Sequence, residues 1–342
     1  MADTVIDILD CPLPVTVQDG GRHGYRHLGV PLSGALDAEY LAIANALVGN
    51  PLSMAALEMR LVGPRLRAAV PLTIALAGDC EAHIEDTQGQ RRAARSWNSH
   101  NPGLGETLVI TKITGGIGYL AIGGGLDLPL VLGSCSTYAR AGLGGLNGRG
   151  LRGGDRLSVR SQAHTPPLRL PRPPQAITGP IRVLAGPQRE HFTKDAWAQF
   201  IGSDFTVSRE ADRMGLRLDG PPLEHNPARG ADIVSDAVTP GVIQVPGDGR
   251  AIILLADCQT VGGYPKIATV IGADLPRLGH ALPGTVLRFV EVDIGQSLAA
   301  RRRAAEALTA SIASMVPGGA EIDLDALYDA NLIDGVINAH QP

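Results

Sequence analysis

The sequence predicts a mainly β protein that is barrel-like and carries a few peripheral helices. Glycine and proline account for 43 and 25 of the 342 residues, and they are interleaved with short runs of Val, Ile and Leu. This pattern is typical of many short strands joined by tight turns. Hydrophobic residues make up 44% of the chain, which is enough for a sizeable core and excludes a disordered protein.

Eight strands are predicted from aliphatic runs that are bounded by turn residues. They are Leu72 to Ala77, Thr107 to Ile113, Gly118 to Ile122, Arg156 to Arg160, Ile181 to Ala185, Val242 to Val245, Ala251 to Leu255, and Thr285 to Val290. The segment "VPGDGR" at residues 245–250 carries Pro-Gly and Asp-Gly turn signals, so it predicts a hairpin.

Helical signals are fewer. Residues 37–48 begin with Asp37 as a candidate N-cap, and a second helix is predicted from Thr193 to Phe200. A surface helix is predicted from Gly295 to Met315, and residues 324–337 predict a short final helix and a terminal apolar segment.

Proline content predicts the domain boundaries. Six prolines between residues 161 and 180 indicate an extended, semi-rigid linker. It would separate a β module at residues 1–160 from a second β module at residues 181–294, which a helical tail at residues 295–342 follows.

The two halves also share three pairs of short, similar sequence segments, which occur in the same order in each half. They are "RLVGPRL" from Arg60 with "RLDGPPL" from Arg217, "LVLGS" ending at Ser134 with "TVIGA" ending at Ala273, and "GGDRLSV" from Gly153 with "PGTVLRF" from Pro283. This repetition predicts two similar modules related by a pseudo-two-fold axis.

Charge and cysteine usage exclude several classes of protein. A formal net charge of −4 gives no electrostatic reason to expect a nucleic acid or an anionic membrane as a partner. The N-terminus lacks the basic region of a signal peptide, and no apolar stretch has the length of a membrane span. Four widely separated cysteines form no zinc or disulfide motif. We therefore expect a soluble, cytoplasmic protein without a metal site.

The first candidate site is the Gly-rich segment "VTVQDGGRHGYRHLGVPLSGALD", Val15 to Asp37. Its polar groups could hold a carboxylate or a carbonyl; they are Gln18, Asp19, Arg22, Arg26 and Ser33. The alternative is an Asp–Arg pair that only fixes a turn.

The second candidate site is "GGGLDLPLVLGSCST", Gly123 to Thr137. Glycine amides and clustered hydroxyls could form an oxyanion hole or an anion nest from Gly124, Gly125, Ser134, Ser136 and Thr137. The same glycines could instead mark a bulge at a barrel corner.

The third candidate site follows the predicted hairpin, in "LADCQTVGGYPK". Asp257 and Lys266 lie on either side of a Gly-Gly bend, and Arg213 in "DRMGLRL" is a candidate clamp for an acidic group. The neighbouring candidate binding residues are Gln244, Gln259, Gly262, Gly263 and Tyr264. A turn lysine and a surface salt bridge are the alternatives for Lys266 and Arg213.

These motifs resemble a family variously called allophanate hydrolase subunit 2, biotin-dependent carboxyltransferase, kinase-inhibitor antagonist and the C-type subunit of 5-oxoprolinase. The resemblance rests on "TVQDGGRHGYRHLGVPLSGALD", "ANALVGNP", "ALE", "GSCST", "DRMGLRL", "LPGTVLRF" and the run from "IQVPGDGRAIILLAD" to "GGYPK". It covers residues 12–290. The chain departs from it at Cys135 and Cys258, where Arg is expected, and at His280, where Gln is expected.

The resemblance implies two cyclophilin-like β-barrel modules and a heteromeric assembly. The implied partners are a smaller subunit 1-type (B-type) protein and, as a further candidate, a larger third subunit. The chain has neither a biotinyl-lysine context nor a nucleotide loop. Any biotin would therefore be carried by another chain, and ATP would be used by a partner subunit.

The expected function is that of a subunit in an ATP-dependent 5-oxoprolinase-type complex, which converts 5-oxoproline to glutamate. In this interpretation Arg213 and Lys266 hold the substrate carboxylate. One alternative is transfer of CO₂ from carboxybiotin to urea or a similar amide, with Asp257 as the base for the acceptor nitrogen. The second is a regulatory module that sequesters a small inhibitor partner.

Overall fold

A computed structural model describes residues 5–160 and 166–318 of the chain. The α-helices in this part are α1 (Ala38–Leu47), α2 (Lys194–Gly202), α3 (Leu275–His280) and α4 (Ile294–Ala313). The strands of the first half are β1 (Val5–Asp10), β2 (Thr16–Gln18), β3 (Ala56–Met59), β4 (Arg65–Ala68), β5 (Ile74–Ala77), β6 (Cys80–Glu85), β7 (Arg91–Ala93), β8 (Ser99–His100), β9 (Thr107–Ile113), β10 (Gly118–Ile122) and β11 (Arg156–Ser158). Those that follow are β12 (Leu168–Arg169), β13 (Ile181–Ala185), β14 (Phe205–Ala211), β15 (Gly215–Asp219), β16 (Asp236–Ala237), β17 (Val242–Gln244), β18 (Ile252–Leu254), β19 (Val261–Gly262), β20 (Lys266–Val270), β21 (Val286–Leu287), β22 (Phe289–Glu291) and β23 (Val316–Pro317).

Two sheets build the first half. A six-stranded sheet has the order β11-β1-β4-β9-β6-β7, and a five-stranded sheet has the order β2-β3-β10-β5-β8. Apolar side chains that alternate along β1, β4 and β9 meet those of β3, β5 and β10 in one buried cluster. The two sheets therefore enclose a common aliphatic core.

The second half is built on one eight-stranded sheet, in the order β21-β14-β15-β18-β17-β20-β13-β22. Its two outermost strands, β21 and β22, are consecutive in the chain and are separated only by Arg288. The sheet edges must therefore come close together, and the sheet is a nearly closed barrel. The mainly β fold class predicted from the sequence is confirmed.

Local signals explain where the helices begin. Asp37 caps α1 by accepting from the backbone N–H groups of Glu39 and Tyr40, and Thr193 caps α2 in the same way. Asp293 and Gln296 form a capping box at the start of α4. All three helices were predicted from the sequence. The predicted final helix at residues 324–337 lies outside the described residues.

The largest buried cluster crosses from one half to the other. It combines residues of α1 and the outer face of the five-stranded sheet with the interior of the barrel, including Tyr119, Ile243 and Phe289. The halves therefore share a core, and the division into modules at residues 160 and 180 stays a prediction. Part of the predicted linker is also ordered, because β12 pairs with β23.

No helix in the described part of the chain is both long and apolar enough to cross a membrane.

Candidate functional site

A partly buried arginine joins the two halves. The Arg213 side chain is 16% exposed, and it donates to Oε1 of Glu58 at 2.5 Å and to the Gly34 carbonyl oxygen at 2.6 Å, both in the first half. It also forms a forked pair with Asp257, at 2.9 Å and 3.1 Å. Burial opposes the charge of Arg213, but the carboxylates of Glu58 and Asp257 outweigh it and hold the pKa above its ordinary value.

Glu58 is the centre of this network. Its Oε2 accepts from the Tyr119 hydroxyl at 2.5 Å and from the Leu36 backbone N–H at 2.9 Å. Burial raises the pKa of Tyr119 well above its ordinary value, and the charge of Glu58 raises it further. Tyr119 is therefore a hydrogen-bond donor here and not a base. Both oxygens of Asp257 accept from Arg213, so its predicted role as a base would require that pair to open.

A second buried network surrounds Asp19. Its carboxylate accepts from the Ser134 hydroxyl at 2.7 Å, the Ser136 hydroxyl at 2.5 Å, and the backbone N–H groups of Gly21 and Cys135. Hydrogen bonds alone satisfy the Asp19 carboxylate, because no cation among the described residues lies within ion-pair distance of it. The structure thus brings the first two predicted candidate sites together.

Arg22 lies beside this network and is fully buried. Its Nε donates to the Val131 carbonyl oxygen at 2.9 Å, and its Nη2 donates to the Ser136 carbonyl oxygen at 2.8 Å. Burial lowers the pKa of Arg22, and the carboxylates of Asp19 and Asp257 partly offset this effect. The predicted Asp–Arg pair does not form directly, because Arg22 donates to carbonyl oxygens instead.

A cleft of about 490 Å³ is lined mostly by the second half, with Arg140 contributed by the first half. It contains three of the predicted binding residues, Gln244, Gln259 and Tyr264, and its further lining is Arg140, Arg209, Glu210, Ala211, Asp212, Met214, Gly215, Arg217, Ile252 and Leu254. Gln259 donates to Oε1 of Gln244 at 3.4 Å, and Gln244 donates to the Tyr264 carbonyl oxygen at 3.3 Å. Since Met214 follows Arg213, the cleft lies next to the arginine network.

Lys266 is buried outside the cleft lining. Its Nζ donates to Asp236 and to the Ala237 carbonyl oxygen, the latter at 3.2 Å, and its side chain is only 3% exposed. The hydrogen bond from Lys266 lowers the pKa of Asp236. Because Asp236 lies on the short ribbon formed by β16 and β19, Lys266 fixes this ribbon to the barrel. Its catalytic role stays a prediction.

The predicted glycine sites have clear packing functions. Gly124 donates its backbone N–H to Oδ1 of Asn50 at 2.9 Å, and Gly125 donates to the Ile122 carbonyl oxygen at 2.9 Å. These amides are not free to stabilise an oxyanion in this structure. In β19, a side chain at Gly262 would lie 2.6 Å from Nε2 of Gln244, and the Gly263 carbonyl oxygen accepts from Ile233.

Two of the three departures from the family pattern, Cys135 and Cys258, fall on buried positions, and His280 is partly exposed. Cys135 and Cys258 are 6% and 0% exposed, and burial raises the pKa of both thiols, which makes them poor nucleophiles. His280 contacts Asp37 at 2.7 Å and the Gly115 carbonyl oxygen. Among the described residues, no group of three or more His, Cys, Asp or Glu side chains is placed to hold a metal ion.

Glu58 and the cleft arginines were not among the sequence-predicted site residues. Glu58 could have been found, because it is a single acid in the apolar strand "ALEM" and a buried acid needs a partner. Arg140, Arg209 and Arg217 carry no such signal, since arginines on exposed turns and strands are common.

Comparisons with known proteins give the family. The model of the carboxyltransferase domain, subdomain A and B, matches residues 28–291. The chain is 37% identical over 304 residues to the C-type subunit of 5-oxoprolinase from Escherichia coli (strain K12), covering 87% of this chain and 94% of that protein. It is 34% identical over 300 residues to the C-type subunit of 5-oxoprolinase from Haemophilus influenzae, covering 87% of this chain and 95% of that protein.

Among solved structures, the K. lactis urea amidolyase superposes with a TM-score of 0.81 at 28% identity, over 90% of this chain and 20% of that chain. The Kluyveromyces lactis urea carboxylase superposes with a TM-score of 0.82 at 28% identity, over 92% of this chain and 29% of that chain. The chain thus spans less than a third of either yeast protein. The family match over most of the chain, with relatives above 30% identity along nearly their whole length, shows that this chain belongs to the carboxyltransferase domain family.

Proposed function

We propose that the chain is the C-type subunit of an ATP-dependent 5-oxoprolinase complex, which opens the lactam of 5-oxoproline to give glutamate. The observation that carries the proposal is the cleft, in which Gln244, Gln259 and Tyr264 lie beside three arginines. The relatives that match along nearly their whole length are named as this subunit of 5-oxoprolinase, and this supports the same assignment.

The chemistry of the cleft fits a small lactam acid. A lactam presents one N–H donor and one carbonyl acceptor, and glutamine side chains such as Gln259 and Gln244 supply both complements. The substrate carboxylate needs a cation, and Arg209 is exposed and has no ion pair among the described residues, unlike Arg140 and Arg217. We therefore assign the carboxylate to Arg209.

The predicted catalytic residues would act on this cleft indirectly, by fixing the elements that form its wall. The backbone N–H of Asp257 donates to the Arg213 carbonyl oxygen at 2.9 Å, so this pair fixes the cleft wall at Met214. Lys266 would fix the ribbon that carries Gly262. Nucleotide chemistry would belong to partner subunits, including a smaller B-type protein and a larger third subunit, and biotin, where used, to another chain. The four cysteines are unpaired, which favours a reducing compartment such as the cytoplasm.

Carboxyl transfer to urea or a similar amide is the second candidate. It is favoured by the superposition on Kluyveromyces lactis urea carboxylase. The same glutamines could hold an acceptor amide. A regulatory module that binds a small inhibitor partner is the third candidate.

One reconstitution separates these candidates. The chain is co-expressed with the smaller B-type protein and the large third subunit, and the complex is assayed for ATP-dependent 5-oxoproline cleavage and for bicarbonate-dependent carboxylation of urea. We expect cleavage only. Carboxylation without cleavage would replace the first candidate by the second, and tight partner binding with neither activity would favour regulation.

A matched pair of variants tests the cleft within the active complex. Arg209→Gln should raise KM for 5-oxoproline about tenfold, the usual effect of losing one charged contact. Arg301→Gln, an exposed arginine on α4, is the control and should leave KM unchanged. An unchanged KM in Arg209→Gln would contradict the assignment of the carboxylate.

A further inference from the structure

Helix α4 presents a partly apolar stripe to solvent. Ile294 and Leu298 lie one turn apart on it and are 69% and 53% exposed. Arg302, Ala305 and Thr309 continue the same side of the helix at helical spacing, and all three are exposed. We call these five residues the α4 stripe.

The packing of α4 leaves this stripe uncovered. Ala300 is buried, and Leu308 is partly buried against the core that the two halves share. With 3.6 residues per turn, Ala300 points about 160° away from Leu298 around the helix axis. The stripe therefore faces away from the core. Single exposed apolar side chains need no partner, whereas neighbouring ones rimmed by charged residues are typical of an interaction surface.

The α4 stripe is also basic. Arg302 stands between two further arginines in the chain, all three are exposed, and none forms an ion pair with another residue that the structure describes. Glu306 is the single acid among the 20 residues of α4. An occupant of this surface should therefore combine carboxylates with apolar side chains.

The end of the chain has this composition. Residues 319–342 lie outside the described residues, and their sequence "GAEIDLDALYDANLIDGVINAHQP" contains five acids and no lysine or arginine. Leu324, Leu327, Tyr328 and Leu332 follow one another at i, i+3, i+4 and i+8, a spacing that predicts one apolar side of a helix. The segment thus carries both features that the α4 stripe requires.

The starting point of the segment puts the stripe within its reach. After α4 ends at Ala313, β23 pairs with β12, and the Gly318 N–H donates to the Pro167 carbonyl oxygen at 2.6 Å. Gly318 follows five positions after Ala313, so the segment starts within about 18 Å of the end of the helix. Leu298 lies about 22 Å back along α4, and the remaining residues can extend over about 80 Å.

A second copy of the chain fits the stripe less well. Two α4 helices packed stripe to stripe would bring two arginine runs together, and like charges across an interface are unfavourable. A segment of the same chain brings carboxylates instead, and its attachment gives it a high effective concentration at the helix. The family model ends at residue 291, so both α4 and the segment lie beyond the family match.

We propose that residues 319–342 fold back onto the α4 stripe, with their apolar side chains against Ile294 and Leu298 and their carboxylates at Arg302. The docked segment would remove the exposed apolar surface from solvent and neutralise the arginine run. This docking is a property of the chain itself and does not depend on the reaction that the complex catalyses.

Zero-length cross-linking of the full chain tests the proposal. The chain has three lysines, none of them on α4 or after it, so Arg302→Lys introduces an amine on the stripe and keeps the charge. A carbodiimide joins that amine to a carboxylate in contact with it. Arg303→Lys is the matched control, because Arg303 is equally classed as exposed but points about 140° away from Leu298, whereas Arg302 points about 40° away.

Mixing isotope-labelled and unlabelled chains distinguishes links within one chain from links between copies, and tandem mass spectrometry locates the linked carboxylates. We expect Arg302→Lys to give links within one chain to the acids of residues 319–342. Arg303→Lys should give about fivefold fewer, since its side chain points away from the stripe. Adding Leu298→Ser to Arg302→Lys should lower the yield about twofold or more, because an apolar contact is lost.

Three results would overturn the proposal. Equal yields from Arg302→Lys and Arg303→Lys would show that the segment has no preferred side of α4. Links mainly between labelled and unlabelled chains would assign the stripe to a second copy. The absence of any link to residues 319–342 would leave the stripe to a partner protein.

Discussion

Removing Arg213 should destabilise the protein far more than removing a surface arginine. Arg213 compensates two buried carboxylates at once, those of Glu58 and Asp257, through three charged hydrogen bonds of 2.5 to 3.1 Å. Deleting one member of a buried pair typically costs about 3–5 kcal/mol, because the remaining charge stays buried. Arg213→Met, which keeps much of the apolar volume, should therefore lower the free energy of unfolding by about 3–5 kcal/mol.

The control is Arg288→Met. Arg288 also pairs with a carboxylate, that of Asp204, but the two side chains are 67% and 51% exposed. Such a pair contributes about 0–1 kcal/mol. Both variants can be compared by urea unfolding followed by the fluorescence of Trp97 and Trp197, one in each half.

A double variant separates the buried charge from the lost packing. Glu58→Gln removes one of the two carboxylates that Arg213→Met leaves uncompensated. Combining them should recover about 1 kcal/mol or more relative to the sum of the single effects. If Arg213→Met costs no more than Arg288→Met, the network does not join the halves energetically and the reasoning fails.

Three further predictions concern His280, Gly144 and Lys266. Burial lowers the pKa of His280, but its hydrogen bond to Asp37 outweighs this and raises it above 6.5. The contact of protonated His280 with Asp37 therefore stabilises the protein fully below about pH 6.5, and this stabilisation is lost as the pH rises through the raised pKa of the folded state. His280→Gln should abolish this pH dependence of the melting temperature. An unchanged pH profile of the melting temperature would contradict the prediction. Gly144 has a φ of 65°, and Gly144→Ala would press a methyl group against the Ser136 carbonyl oxygen. We expect this variant to lower the free energy of unfolding, measured by chemical denaturation, by about 1–3 kcal/mol. An unchanged free energy of unfolding would exclude close packing at this position. Lys266→Met should abolish complex activity; activity near wild type in a stably folded variant would exclude a catalytic role, and a fall in melting temperature alongside the loss would point to a positioning role.

The sequence predicted the elements that depend on local signals. The strands at residues 107–113, 118–122 and 181–185 were predicted with the bounds that the structure shows, because turn residues limit each apolar run. Helix α1 was predicted from Asp37, which does cap it. Such signals act within a few residues, so they can be read along the chain.

Elements that depend on distant partners were not predicted. Helix α3 has only six residues, and Gly279 within it lies close against Leu36 of the other half. Glu58 and Arg213 are separated by 155 positions in the chain. Their pairing follows from the packing of the two halves, which no local pattern reveals.

Residue type alone also left the candidate sites ambiguous. The sequence left Gly124 and Gly125 open between amides that stabilise an anion and a bulge at a barrel corner, and in the structure their amides donate within the protein. It also grouped Gln18, Asp19 and Arg22 as a candidate binding site, and this role stays a prediction. The contacts then distinguish Asp19, whose carboxylate accepts several hydrogen bonds, from Arg22, whose Nη1 has no partner among the described residues.

The closure of the barrel bears on how the chain folds during synthesis. In the first half, β1 pairs with β11, so that sheet can form once residue 158 has left the ribosome. In the second half, β13 pairs with β22 and β14 pairs with β21. These pairs cannot form until residues 286–291 have been synthesised. A nascent chain therefore carries an unclosed second half, with unpaired strand edges, until residue 291 has been synthesised. Chaperones should be needed most in that interval.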